Sequence, residues 1–337
     1  MRRNFDAIVQ PRMSVLSRAQ YLRRIGSAYL LRSHSQLNFW HDSAQINLRA
    51  TPHALGEYYM NFDEKAGYAL TNGDRIPVLN YRGTIGLQYN PIAIAQWGLG
   101  NFNLSRRSGS DEARRKFLAA SDWLCRNLEP NSHCIHVWNH NFDWEYRETL
   151  CAPWYSGLAQ GQGISLLLRA HSETGDTKHL DTAKLAFQCF LTSTDEGGVT
   201  FTDSECNLWF EEYLVSPPTH ILNGFIWAAW GVYDFALATG STDAKQLFES
   251  AVHTLKSNLH HYDLGFWSLY EQSGTRLPMI ASPFYHRLHI AQLRVMHRIT
   301  GERIFDEYAS RWESYARRRT NRTRALCYKS AFKLCYY

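Results

Sequence analysis

Three short segments carry side chains suited to moving protons. Trp209-Phe210-Glu211-Glu212-Tyr213 sets two carboxylates beside a tyrosine, just ahead of Pro217-Pro218. Phe284-Tyr285-His286-Arg287-Leu288-His289 puts Tyr285 and His289 on one face if it opens a helix. Trp267-Ser268-Leu269-Tyr270-Glu271 adds another tyrosine beside an acid. Carboxyls and phenols placed near one carbon can act as general acid and general base. The bland reading of Glu211 and Glu212 is a helix or strand end with solvated acids. A fourth run, Pro153-Trp154-Tyr155-Ser156-Gly157-Leu158-Ala159-Gln160-Gly161-Gln162, would turn Gln160 and its aromatics inward, with Gly157 and Gly161 allowing close helix packing.

Aromatic content suggests what such groups would act on. The chain holds 11 Trp, 19 Tyr and 17 Phe. Many fall in turn-rich segments beside Glu, Arg and His, where Trp138, Phe142, Trp144, Tyr146, Trp154 and Trp209 are examples. Sugar rings stack on such surfaces through their C–H faces; core packing is the competing use. Other chemistries find little support. No Walker A sequence, dinucleotide fingerprint, Gly-x-Ser-x-Gly elbow or His-Glu-x-x-His occurs. His133, Cys134, His136 and His140 are the nearest to a zinc set, a weak match, so no metal and no cofactor is expected. His260-His261 near Asp263 reads as loop decoration.

Elements able to position these groups follow from a repeat. Glycines at 109, 175, 240 and 301 each end a helical pattern and precede another. Their spacing predicts four units, each two helices joined by a tight glycine turn and followed by a longer return. The first helix of each unit, as in Gly161-Gln162-Gly163-Ile164-Ser165-Leu166, is apolar and rich in small residues, which suits an inner wall. The second is amphipathic and suits an outer wall. The expected fold is mainly α, an incomplete α/α barrel of about four helical hairpins, with an open α-solenoid as the alternative. Returns at 129–156, 191–222 and 260–285 would carry the chemistry. Residues 1–32 read as a basic N-terminal helix or arm. Residues 33–88 read as a small hairpin-rich element with turns at Asn72-Gly73-Asp74 and Arg82-Gly83, 89–316 as the barrel domain, and 317–337 as a basic tail.

Charge is uneven. Residues 317–337 hold seven Arg or Lys and no acid, and 1–32 hold seven Arg against Asp6. Removing that +7 and +6 from the chain's +5 leaves −8 on residues 33–316. Basic ends could hold a polyanion or be plain solvated tails. Seven cysteines, an odd number with no Cys-x-x-Cys, suggest reduced thiols and a cytoplasmic protein. MRRNF is followed by no clean apolar stretch, which argues against a signal peptide, and no run of 18 apolar residues suggests a membrane span.

Four blocks resemble the D-glucuronyl C5-epimerase family: NYRGTIGLQYNPIAIAQWGLG (80–100), APWYSGLAQGQGISLLLRAHSETGD (152–176), WFEEYLVSPPTHILNGF (209–225) and SPFYHRLHIAQL (282–293). The resemblance runs from about residue 55 to 315 and implies an incomplete α/α barrel acting on heparosan-like precursors of heparan sulfate. It implies catalytic roles for Glu212, Tyr213, Tyr270 and Tyr285. Tyr89, Trp154, Gln160, Glu211, Asn223, His286, Arg287 and His289 are the candidate substrate contacts. Ser273 stands where the family carries an arginine, and Arg276 and Arg287 are the candidates to replace it. The implied partner is an acidic polysaccharide and no nucleic acid, with a homodimer left open.

Inverting C5 of a uronate means removing a proton alpha to a carboxylate and returning one to the opposite face. Two acid–base groups must therefore flank the ring, and donors must meet the charge that develops on the carboxylate. Tyr285 is expected on one face with Glu212 or Tyr213 opposite, and Tyr270 orienting or protonating. A polysaccharide lyase starts with the same abstraction. An α/α-barrel glycoside hydrolase would need two carboxyls across the glycosidic bond, and adjacent Glu211 and Glu212 do not easily face one ring. A sugar-binding module without chemistry is the remaining alternative.

Overall fold

The computed structural model describes residues 36–73 and 75–336. The basic segment 1–32 lies outside the described residues. Four helical hairpins dominate: α3 (Pro91–Ser108) with α4 (Asp111–Arg126), α5 (Gly157–Thr174) with α6 (Thr177–Leu191), α7 (Leu222–Thr239) with α8 (Thr242–Asn258), and α9 (Pro283–Thr300) with α10 (Arg303–Arg317). Two short helices, α1 (Gln36–Trp40) and α2 (Asp63–Ala66), precede them, and α11 (Arg319–Tyr336) follows.

The repeat read from the glycines is real at the level of caps. Gly109, Gly175, Gly240 and Gly301 all sit in the left-handed region at φ 67, 72, 70 and 74°, each closing an inner helix of 18 residues. Side chains of Asn90, Ser156 and Ser282 satisfy free N–H groups at the starts of α3, α5 and α9. Inner helices are buried nearly all round: α5 is buried continuously from Gly157 to Ala170. Outer helices bury one stripe, as α10 does with Phe305, Ala309 and Trp312. Close approach of α5 to α7 needs Gly161, where a Cβ would lie 2.6 Å from the Ala228 Cα. A buried ion pair, Arg169 Nη1 to Asp234 Oδ2 at 2.6 Å, also joins these two helices.

The result is an incomplete α/α barrel. Among the described residues α3 packs on α5, α5 on α7 and α7 on α9, but α9 and α3 make no extensive contact. Segment 45–62 bridges that gap. Arg298 of α9 donates to the carbonyls of Asn47 (3.0 Å), Leu48 (3.3 Å) and Ala50 (3.0 Å). On the other side Asn103 of α3 accepts from Tyr58 N at 2.7 Å and donates to Met60 O at 2.8 Å. Side-chain-to-backbone bonds of this kind replace a ladder. Among its described residues the 33–88 segment accordingly has one named strand pair, β1 (Leu79–Asn80) with β2 (Leu87–Gln88), and is mostly turns.

Strand instead appears in the returns. Hairpins β3 (Leu128–Pro130) with β4 (His136–Trp138), β5 (Trp144–Glu145) with β6 (Thr149–Leu150), and β7 (Thr200–Thr202) with β8 (Leu208–Phe210) are all antiparallel. Within the basic tail, Arg319–Tyr336 is a helix that packs on the barrel. Ala325 and Phe332 are buried. Arg324 lies 3.9 Å above the Phe266 ring, and Lys329 Nζ donates to Ile280 O at 2.8 Å. Its density of charge masked a narrow packing stripe. No helix among the described residues is long and apolar enough to cross a membrane.

Candidate active site

A cavity of about 1060 Å³ opens at the end of the barrel where the inner helices begin. Ile92, Leu158, Asn223 and Tyr285, from the first turns of α3, α5, α7 and α9, all line it. The 129–156, 191–222 and 260–285 returns complete the wall with Tyr146, Glu212 and Tyr270.

Just past the end of β8 the backbone separates the two adjacent glutamates. The backbone at Glu211 is held from both sides: its N–H donates to Val199 O at 2.9 Å and its carbonyl accepts from Gly157 N at 2.8 Å. Successive side chains then leave in opposite directions. Glu211 turns away from the cavity and takes the backbone N–H and the ring of His220. Glu212 turns into it, over the first turn of α7. Asn223 Nδ2 donates to Glu212 Oε2 at 3.4 Å. Gly224 makes the room, because a Cβ there would stand 2.1 Å from Glu212 Oε2.

The tyrosines arrive on separate elements. Tyr270 is pinned by its N–H to Met279 O (2.8 Å) and its carbonyl to Leu222 N (3.1 Å), so the loop is tied to the start of α7. Tyr285 is the third residue of α9, where Ser282 Oγ accepts its N–H at 3.3 Å. Tyr270 and Tyr285 meet edge to face at 4.9 Å between centroids. Tyr213 lies 4.5 Å from Tyr146 and 5.6 Å from Trp154. Glu212, Tyr213, Tyr270 and Tyr285 thus line one cavity. The sequence placed Tyr146 and Glu271 in candidate segments but gave neither a catalytic or binding role. Tyr146 hydroxyl donates to the Glu271 carboxylate behind Tyr213.

Burial sets the protonation of this group. Glu212 is 5 % exposed, and desolvation, then the Glu271 and Glu211 charges, push its carboxyl up to about 8. Burial and then the neighbouring Glu212 charge hold Tyr213 and Tyr270 well above the ordinary phenol value. Glu271 is raised as well, by burial first. At neutral pH Glu212, Tyr213 and Tyr270 therefore keep their protons. Glu212 is the one nearest to releasing its proton.

Not every candidate contact reaches the cavity. Trp154 and Asn223 line it. Gln160 is buried within α5 and is not among the residues that line the cavity. Tyr89 packs on Trp123 at 5.6 Å, and its hydroxyl accepts from Asn72. His286 is sandwiched: it stacks on Trp267 at 3.8 Å, its Nε2 lies 3.0 Å from Trp312 O, and burial lowers it to about 4. His289 lies one turn deeper in α9, 3.1 Å from Ser268 Oγ, and burial lowers it too. Both are neutral core histidines. Arg287 and Arg276 are exposed and outside the cavity lining. The cations that do line it are Lys65, Arg82 and Lys329. Only the charge asymmetry of the tail hinted at the last of these.

His133 and Cys134 are exposed while His140 stacks on Trp154 at 3.9 Å, so the weak zinc set is dispersed. Among the described residues no three potential metal ligands gather.

The family model of the D-glucuronyl C5-epimerase C-terminus matches residues 132–314, which include Glu212, Tyr213, Tyr270 and Tyr285. A D-glucuronyl C5-epimerase of Caenorhabditis elegans is 30% identical over 215 residues, 59% of this chain and 35% of that protein. An uncharacterized protein of Methanocaldococcus jannaschii is 32% identical over 198 residues, 58% of this chain and 63% of that one. The chain thus matches about a third of the first relative's length and under two thirds of the second's. In fold, a cellobiose 2-epimerase from Bacillus thermoamylovorans superposes with a TM-score of 0.53 at 12% identity, covering 88% of this chain and 87% of that one.

Proposed function

This chain belongs to the D-glucuronyl C5-epimerase family, and from that premise we propose that it inverts C5 of D-glucuronate residues in a heparosan-like polysaccharide, giving L-iduronate. One observation carries the reading: a carboxyl and three phenols from three separate segments line one cavity. A carboxyl and a phenol are the two kinds of group needed on the two faces of the ring.

Their acidities suggest the division of labour. Glu212, at about 8, is the group able to supply an anion near neutral pH, so it takes the C5 proton. The electron pair moves into the substrate carboxylate, which becomes an aci-carboxylate carrying extra negative charge. Protonated Tyr213 and Tyr270 are donors available to that charge. Tyr285 delivers a proton to the opposite face of C5. The turnover leaves Glu212 protonated and Tyr285 ionised, and a proton passed back through the tyrosine cluster restores both. Reversal uses the same groups in exchanged roles. The starts of four inner helices around the cavity favour an anionic ligand.

Incubation with heparosan in heavy water tests the proposal. Deuterium at C5, iduronate in the product and an unbroken chain are expected. An unsaturated, ultraviolet-absorbing product would make the protein a lyase, and binding without exchange would make it a carrier.

A further inference from the structure

Three cations line the cavity, and they are not equivalent. Lys65 is committed: it donates to Phe39 O and lies 3.8 Å from Asp42, an acid of the same wall. Arg82 belongs to the turn between β1 and β2. Lys329 reaches the wall from the last helix. Its Nζ bonds the carbonyl of Ile280, which pairs with Leu269, the residue before Tyr270. It also acts electrostatically on Glu271. This places a positive charge on the tyrosine side of the cavity, where Arg276 and Arg287 do not reach. Phe332, one turn further along α11, lines the cavity beside it.

The rest of α11 extends that charge. Arg322 stands two turns before Lys329, a spacing that keeps both on one side of the helix, and Arg318 is the extended residue just before α11 begins. Both arginines are exposed. At about 1.5 Å per residue Arg322 lies about 10 Å along the helix from Lys329. No acid interrupts residues 317–337.

Resting on the function proposed above, we infer that α11 is a polyanion-binding wall of the active site. Lys329 takes a carboxylate of the uronate chain within the cavity, and Arg322 and Arg318 hold the chain as it leaves.

The test compares wild type, Lys329→Gln, Lys329→Arg and the Arg318→Gln/Arg322→Gln pair. Each is titrated calorimetrically with short heparosan oligosaccharides, with their carboxyl-reduced counterparts and with long heparosan. Lys329→Gln should weaken the acidic oligosaccharide about tenfold, the size of one partly desolvated charge contact, and spare the carboxyl-reduced one. Lys329→Arg should restore binding. The arginine pair should weaken only the long chain and flatten its salt dependence. Equal loss on acidic and reduced ligands would make Lys329 structural and overturn the inference, as would wild-type affinity in Lys329→Gln. Heavy-water exchange on the same samples separates the two proposals. Exchange by wild type with an inert Lys329→Gln substitution sinks this inference alone. Binding that depends on Lys329 without exchange sinks the epimerase reading alone.

Discussion

Replacing Glu212 by Gln should make the protein more stable, and increasingly so as pH rises. The folded carboxyl ionises near 8 against an ordinary 4.5. Between those values the native state keeps a proton that the unfolded chain has released. Stability attributable to Glu212 is therefore undiminished below about 4.5 and is lost progressively as pH climbs through 8, at about 1.4 kcal/mol per unit. From pH 5.5 to 7.5 the wild type should lose about 2.5 kcal/mol relative to a variant that cannot ionise there. Gln keeps the shape, and its carbonyl can still accept from Asn223. Other groups titrate in or near the same range. Asp42 is raised to about 6 by burial, and His286 is lowered to about 4. Both remain in the variant, so the difference between the two proteins isolates position 212. Urea unfolding followed by tryptophan fluorescence at pH 5.5, 6.5 and 7.5 measures it. A stability difference that stays constant across the three pH values would refute the claim that Glu212 is a desolvated, protonated acid in the resting site.

Further outcomes follow from the same geometry. If ionised Glu212 is the base, kcat/KM for C5 exchange should rise about tenfold per pH unit below 8 and level off above it, which a pH profile in heavy water would show. Tyr285→Phe should melt like wild type yet abolish exchange; wild-type-like exchange would remove Tyr285 from the mechanism. Gly224→Ala drives a methyl to 2.1 Å from Glu212 Oε2 and should cut exchange at least a hundredfold, whereas Gly231→Ala, also crowded but against Gly161, should register mainly as lost stability. Arg298→Ala removes three bonds that hold the gap-closing segment and should destabilise the fold by about 2–4 kcal/mol, measured as a lower urea midpoint.

The helical architecture was legible because its signals are local. A glycine that must adopt φ near +70° and a Ser or Asn that must cap N–H groups announce themselves within a turn of where they act, and they recur four times in the chain. The catalytic candidates were legible by residue type. Which of two adjacent acids faces the ligand was not. Glu211 and Glu212 differ only in the register imposed by Val199 and Gly157, residues 12 and 54 positions away from Glu211. His286 and His289 show the same limit. Their helical spacing from Tyr285 was correct, but Trp267 and Trp312 cover them, so histidines that looked like carboxylate handles are neutral core. The C-terminal segment shows the same limit: its charge left polyanion binding and solvation both open, and a stripe of Ala325, Lys329 and Phe332 turns it toward the barrel. In each case the side chain's chemistry was plain and its direction was decided by a distant partner. Substrate recognition depends on direction, which is why candidate acid–base residues could be named from the chain while the cations that line their cavity came into view only in three dimensions.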